Sequence, residues 1–217
     1  SPSQALWGEP GDIPLSADFD GDGTSDLVIY RPSDGTWWIV RSRDGFLHKQ
    51  WGLPGDMPVP EDFDGDGKDD FAVWRPSSGF WAVSFSSKNY STAQDDILWV
   101  QWGLTGDYPM VGDYDGDGSS DLAVWRDWNG RWYLCTSVSS FNCHAQGSEQ
   151  QFGLPGDVPL KGDFDGDSIL DFAVWRPSNG TWYWKRSSDA VVNNKQWGLW
   201  FDYPLSAGIK NQMQLLE

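Results

Sequence analysis

One unit of about fifty residues recurs four times along this 217-residue chain, and that recurrence constrains the fold more than any single motif. Its clearest markers are four acidic hexapeptides: DFDGDG at 18–23 and 62–67, DYDGDG at 113–118 and DFDGDS at 163–168. Their first aspartates stand 44, 51 and 50 residues apart. The same larger frame surrounds each marker. It reads WGLPGDMPVPEDFDGDGKDDFAVWRPSSGFWAV from Trp51 and starts again at Trp7, Trp102 and Phe152. A fifth start, WGLWFDYPLSA from Trp197, lacks the acidic loop. A unit this short cannot bury both of its faces alone, so neighbouring units must stack.

Within a unit the segments read as strands. DMPVPEDF predicts a short first strand led by proline, and DFAVW at Asp70–Trp74 a second. FWAVSF at Phe80–Phe85 predicts a third, after a PSSG turn at Pro76–Gly79. ILWVQWG at Ile97–Gly103 predicts a fourth. No stretch sustains a 3.6-residue apolar period. Four strands in roughly 45–50 residues is the size of one propeller blade. The expected fold is therefore all-β, a β-propeller of four-stranded antiparallel blades in one domain over 1–217. The repeat units run over about 7–50, 51–101, 102–151 and 152–196, with a partial unit at 197–217.

The ends of the chain bear on the blade count. QALWG at Gln4–Gly8 reads as a spare outermost strand. YPLSA at Tyr203–Ala207 reads as a spare innermost one, with QMQLL at Gln212–Leu216 as its partner. Pairing the first with the others gives five blades, the fifth degenerate, without calcium and closed by the N-terminal strand, so that no edge stays open. The rivals are a fragment of a seven-bladed ring and a ring shared between chains.

Charge narrows the function classes. The formal net charge is −17, which argues against nucleic acid and anionic membrane surfaces as partners. The longest apolar run is only a few residues, so no membrane-inserting segment is expected. No basic-then-apolar leader precedes Ser1, so the expectation is a chain whose secretory leader, if it had one, is gone. Oligomeric state leaves no mark in the sequence.

The acidic loops call for a cation. In DFDGDGTSD, aspartates occupy positions 1, 3, 5 and 9: Asp18, Asp20, Asp22 and Asp26. The second loop offers Asp62, Asp64, Asp66 and Asp70, and the third Asp113, Asp115, Asp117 and Asp121. The fourth offers Asp163, Asp165, Asp167 and Asp171. Alternate residues of a tight turn can converge on one centre. The glycine at position 6 permits the left-handed backbone such a turn needs. The position-7 carbonyl, from Thr24, Lys68, Ser119 or Ile169, can complete the sphere. Several hard, anionic oxygens on a flexible loop suit Ca2+ better than Mg2+ or Zn2+. Position 12 is Ile29, Val73, Val124 or Val174 instead of the glutamate of an EF-hand, which excludes EF-hand and dockerin readings. The bland alternative is a set of acidic surface turns without metal; four copies at one spacing weigh against it. Ser168 stands where the other loops have glycine. Strain of about 1 kcal/mol there predicts a weaker fourth site.

DFDGDGKDDFAVWRPSSGFW resembles the FG-GAP/VCBS-type repeats of integrin-α-like β-propellers, and the resemblance runs from about Trp7 to Ala207. It implies that the nine-residue loop joins the first two strands of a blade and binds calcium. It also implies an extracellular, secreted or cell-surface protein serving adhesion or carbohydrate recognition, with a glycan or cell-surface protein as partner. An accessory, structural or substrate-targeting domain of a larger secreted enzyme or surface protein is the alternative.

Other repeated residues read as structural. Trp7, Trp51, Trp102, Phe152 and Trp197 precede glycine, as packing between blades requires, and Trp37, Trp81, Trp132 and Trp182 follow the turn. Arg31, Arg75, Arg126 and Arg176 recur, as do Asp12, Asp56, Asp107, Asp157 and Asp202. These are expected to form ion pairs from blade to blade, with a ligand-binding ring of arginines as the alternative. Ligand contacts belong where the repeats differ: Trp128 at a hairpin tip, Trp99 where other units have His48, Glu149 and Asn194, and Trp200 with Phe201. Contact with a neighbouring domain, or an edge cover for the last blade, is the alternative reading of the same four aromatics.

Cys135 and Cys143 lie in the insertion CTSVSSFNC and are expected to form a disulfide, which suits an oxidising compartment. Asn89-Tyr90-Ser91 and Asn179-Gly180-Thr181 are formal glycosylation acceptors. Catalysis is not expected. Outside the loops and the GD positions only 11 acidic residues remain, most of them in turns or the outermost strand. The chain has no nucleophile elbow, phosphate loop or histidine cluster. A propeller glycosidase stays the least favoured alternative.

Overall fold

The structure, a computed structural model, describes residues 7–199, 202 and 204. Among them, sixteen strands form four antiparallel four-stranded sheets. The first blade contains β1 (Ile13–Ala17), β2 (Asp26–Arg31), β3 (Thr36–Arg41) and β4 (Gly45–Gln50). The second contains β5 (Met57–Pro58), β6 (Phe71–Arg75), β7 (Phe80–Ser84) and β8 (Ile97–Gln101). The third contains β9 (Tyr108–Pro109), β10 (Leu122–Arg126), β11 (Arg131–Cys135) and β12 (Ser148–Gln151). The fourth contains β13 (Val158–Leu160), β14 (Phe172–Arg176), β15 (Thr181–Lys185) and β16 (Val192–Gln196). In every sheet, spatial order follows sequence order, the meander of a propeller blade.

Composition explains the place of each strand. The second strands, such as FAVWR in β6, are continuously apolar because both faces of the blade are covered. The fourth strands form the outer edge; β16 (VNNKQ) and β12 (SEQQ) are polar and mostly exposed, while β8 (ILWVQ) is apolar and half-buried. The first strands line the axis: Lys161, next to β13, bonds Glu61, beyond β5, across 100 residues of sequence.

The core lies between blades. Phe19, Tyr30, Trp37 and Ile39 of the first blade pack with Phe71, Val73 and Ala82 of the second. Trp74, Trp81 and Val83 meet Val111, Leu122 and Val124 of the third. Trp125, Trp132 and Leu134 meet Val174 of the fourth.

Tryptophan N–H groups stitch the same junctions. Trp37 Nε1 donates to the Trp51 carbonyl (2.7 Å), and Trp51 Nε1 donates to the Ala82 carbonyl (3.2 Å). The second junction repeats this, from Trp81 to Trp102 (2.7 Å) and from Trp102 to Tyr133 (3.3 Å). At the third, Trp132 donates to the Phe152 carbonyl (3.0 Å), but Phe152 has no indole to donate onward. Trp37, Trp51, Trp81, Trp102, Trp132 and Phe152 thus hold the junctions together, as expected, while Trp7 and Trp197 stand exposed at the two ends of the described repeats.

A close backbone approach accompanies each stitch. Gly79, in the β6–β7 turn, has φ of 67°, and a Cβ there would lie 2.3 Å from the Gly103 carbonyl oxygen. Only glycine satisfies both the left-handed angle and the contact.

Cys135, ending β11, and Cys143, opening the short helix α1 (Cys143–Gln146), form a buried disulfide that ties down the insertion. Among the described residues no helix is long and apolar enough to cross a membrane. The closing strands expected at Tyr203–Ala207 and Gln212–Leu216 lie outside the described residues apart from Pro204. So do most of Gln4–Gly8, and Trp200 with Phe201.

Candidate functional site

The acidic loops join the first and second strands of each blade and share one internal geometry. Position 1 is the organiser. Asp18 Oδ1 accepts from Gly21 N (2.7 Å) and Asp22 N (3.3 Å), while its Oδ2 accepts from Gly23 N (2.7 Å). Asp62 repeats the pattern with Gly65, Asp66 and Gly67. Position 5 then turns the chain: Thr24 N donates to Asp22 Oδ1 (2.8 Å), with equivalents at Lys68, Ser119 and Ile169. Local side chain-to-backbone bonds of this kind are what aspartates in turns make.

Ser168 keeps the loop shape at its expected cost. It holds φ of 73°, and its N–H donates to Asp163 Oδ2 (2.9 Å), as the glycines do in the other loops.

Position 9 has a part the spacing did not reveal. Asp26 Oδ2 accepts from Phe19 N (2.9 Å), and its Oδ1 accepts from Ser42 N (2.7 Å). Asp70, Asp121 and Asp171 do the same with Phe63 and Ser86, Tyr114 and Ser137, and Phe164 and Ser187. These buried carboxylates clamp each loop to the turn between the third and fourth strands of its own blade. Serine hydroxyls of that turn reach the loop too: Ser42 Oγ donates to Asp22 Oδ2 (2.8 Å) and Ser188 Oγ to Asp165 Oδ2 (2.6 Å).

Each loop brings carboxylates together. In Asp18/Asp20/Asp22, Asp62/Asp64/Asp66, Asp113/Asp115/Asp121 and Asp163/Asp165/Asp171, one oxygen per residue lies within 4.8 Å of the others. These clusters could hold a metal ion. Asp26, Asp70, Asp117 and Asp167 lie outside the triads of their loops.

The electrostatics are those of crowded anions. Burial pushes the Asp70 carboxyl up to about 8 against the Ser86 and Phe63 N–H groups, and Asp64 and Asp62 add to the rise. Burial raises Asp121 to about 6, and raises Asp64 and Asp115 as well. Asp20 and Asp165 each hold a buried Oδ1 with no hydrogen-bond partner. Arg43 Nη2 lies 3.9 Å from Asp20 Oδ1 and offsets part of its charge. Buried carboxylate oxygens without a hydrogen bond are costly, so both atoms suit a cation's coordination sphere. Every donor in the clusters is a carboxylate oxygen, the set that suits Ca2+.

Adjacent loops are bonded to one another. Asp69 N donates to the Asp18 carbonyl (2.8 Å), Ser120 N to that of Asp62 (2.7 Å), and Leu170 N to that of Asp113 (2.8 Å). Asp18 N returns a bond to Asp69 Oδ2 (2.6 Å). Lys68 lies across the preceding loop, its Cγ 2.9 Å from where a Gly21 Cβ would stand.

The arginine–aspartate pairs correct an expectation. They form within blades, not between them. Arg75 Nε and Nη2 donate to Asp56 Oδ1 and Oδ2 at 2.7 and 2.8 Å, with the same fork at Arg31–Asp12, Arg126–Asp107 and Arg176–Asp157. The reason is register: Ile13 pairs with Tyr30, so the residues just beyond them, Asp12 and Arg31, must face each other. Asp56 Oδ2 also accepts from Leu53 N (2.9 Å), fixing the turn that leads into the blade.

Glu61 is one of the few acidic residues outside the loops that lies near the innermost strands. It lies on the axial side with Asp69, whose carboxyl burial and Glu61 together push up to about 7.

Of the variable aromatics, Trp128 sits at the opposite end of its blade and Trp99 on the outer strand. Trp128 is 72% exposed at its hairpin tip. Trp99 is half-exposed on β8, yet its ring lies 6.0 Å from Trp51 and 5.8 Å from Phe80, so it is a wall and not a free flag.

No family model matches the chain, and no curated protein matches it. Solved structures do. A streptogramin B lyase is 9% identical with a TM-score of 0.56, over 88% of this chain and 57% of that one. A virginiamycin B lyase from Staphylococcus aureus is 10% identical with a TM-score of 0.51, over the same shares. An Agrocybe aegerita lectin, described as specifically recognising non-reducing terminal N-acetylglucosamine, is 16% identical with a TM-score of 0.54. That match covers 84% of this chain and 51% of the lectin. The chain thus spans under three-fifths of each of these proteins, and at such identities the likeness shows the propeller fold alone.

Proposed function

We propose that this chain is a calcium-binding, non-catalytic extracellular recognition module whose partner is a glycan or a cell-surface protein. The observation that carries the reading is the acidic loop, repeated four times, with buried oxygens on Asp20 and Asp165 that accept no hydrogen bond. Asp18, Asp20, Asp22 and Asp26 would hold the first ion with the Thr24 carbonyl. Asp62, Asp64, Asp66 and Asp70 with the Lys68 carbonyl would hold the second. Asp113, Asp115, Asp117 and Asp121 with Ser119 would hold the third, and Asp163, Asp165, Asp167 and Asp171 with Ile169 the fourth. The ions supply positive charge and rigidity at one end of the blades.

Several features support a recognition role. The loops stabilise a scaffold without presenting a reactive group. The disulfide suits an oxidising, extracellular setting. A lectin shares the architecture, though only as a fold. Equilibrium dialysis against radioactive calcium tests the metal half, with four ions per chain expected and the fourth weakest. Binding of the labelled protein to cells, with and without calcium, tests the recognition half. A chain that binds no calcium refutes the first half, and one that adheres to no cell surface refutes the second.

A further inference from the structure

A cleft recurs at two junctions between described blades, and a third of the same make lies on the first blade beside Trp7, all at the end of the blades away from the acidic loops. At the two junctions the chain leaves the outermost strand of one blade and crosses through a Trp-Gly step to the next. Each cleft lies between that incoming tryptophan, the paired arginine ending the second strand, and the third-strand residue that follows the repeated tryptophan. The first cleft, about 380 Å3, is lined by Trp7, Glu9, Asp12, Arg31, Trp38 and Phe46. The second, about 270 Å3, has Gln50, Trp51, Leu53, Asp56, Arg75 and Trp99. The third, about 380 Å3, has Gln101, Trp102, Leu104, Arg126, Tyr133 and His144.

Single substitutions set the differences. Ala82 lets Trp51 sink until it is only 8% exposed. Trp38 fills the same register position in the first blade and leaves Trp7 at 40%. In the third, Tyr133 lies 4.0 Å under the Arg126 guanidinium, and Trp128 stands at 6.0 Å on the rim.

We propose that these clefts are recognition sites, each built to hold one neutral hexopyranose ring. The proposal rests on the recognition reading above. A pyranose has an apolar face of C–H groups and a rim of hydroxyls. The clefts offer aromatic walls for the first: Phe46 with Trp38, Trp99 with Trp51, and Trp102 with Tyr133. For the second they offer a guanidinium that spends Nε and one Nη2 hydrogen on its aspartate, with Arg31 Nη2 also 3.5 Å from Glu9 Oε2, and that leaves Nη1 to a ligand. The bidentate fork holds that group in place before any ligand arrives.

Charge selects the ligand class. Arginine and aspartate cancel within each pair, and the chain carries −17 overall, so sulfated and sialylated glycans are disfavoured. Three clefts on one rigid body favour surfaces that display many copies of the sugar.

The test is a glycan array of neutral and acidic sugars, read with the parent chain in calcium and with exposed-wall variants. Phe46→Ala, Trp99→Ala and Trp128→Ala touch exposed side chains, so folding survives, as a melting curve checks. Each should lower binding to neutral glycans several-fold, and the triple variant at least tenfold, while Trp99→Phe keeps most of it. Undiminished binding by the triple variant overturns the cleft assignment, and so does a preference for acidic glycans. An array without signal overturns it too. Calcium-dependent adhesion of the same sample to cells would then leave the recognition reading standing, and its absence would remove both.

Discussion

Removing calcium should destabilise the whole propeller rather than loosen four separate turns. Sixteen of the 32 acidic residues sit in the loops, so without ions each loop holds four carboxylates against one another. Four bound Ca2+ ions would bring the formal charge from −17 to about −9, each ion adding two positive charges. A site held at ten times its dissociation constant contributes about 1.4 kcal/mol. If strain at Ser168 weakens the fourth site about fivefold, the four together contribute about 5 kcal/mol. That rivals the entire stability of many domains. For a chain of this size it corresponds to a fall of roughly 10–20 °C in melting temperature.

The loss should be shared between sites, because the position-8 N–H of each loop bonds the position-1 carbonyl of the loop before it. Asp62→Asn should therefore weaken calcium binding at the first and third loops as well as at its own. The assay is a thermal melt followed by circular dichroism after warm incubation with a chelator, then with calcium restored and with magnesium as control. Superimposable melts in chelator and calcium would refute the reasoning. A full shift produced by magnesium would refute the choice of ion.

Three further outcomes follow from the packing. Gly79→Ala should cost well over the roughly 1 kcal/mol of a left-handed alanine, because the new Cβ meets the Gly103 carbonyl. Gly55→Ala, at φ of 86° with open space around it, should cost only that conformational term; equal losses in urea titrations would refute the contact. Trp81→Ala should cost about 3–5 kcal/mol and Trp128→Ala under about 0.5, since one is fully buried and the other exposed; similar unfolding midpoints would contradict that contrast. Reducing Cys135–Cys143 should cost about 2.5 kcal/mol, the chain entropy of so short a loop, and an unchanged midpoint in reductant would show that the insertion is held by other contacts.

Much of this protein was legible before any coordinates. The repeat, the four strands per unit, the loop aspartates and the left-handed backbone at Ser168 are local matters. Each follows from the φ/ψ preferences and side-chain pattern of a few consecutive residues, and repetition multiplied the signal. Tertiary structure decided what meets what. Register, not motif, placed Arg31 against Asp12 inside one blade, where the sequence had suggested a bridge between two. The clamp at position 9 needed the turn between the third and fourth strands brought back beside the loop, 16 residues away from Asp26 in sequence. The bonds between neighbouring loops, and the cleft beside Ala82, exist only once blades stack. Identical motifs carry no record of their distance from one another, because that distance is set by the side chains packed between them.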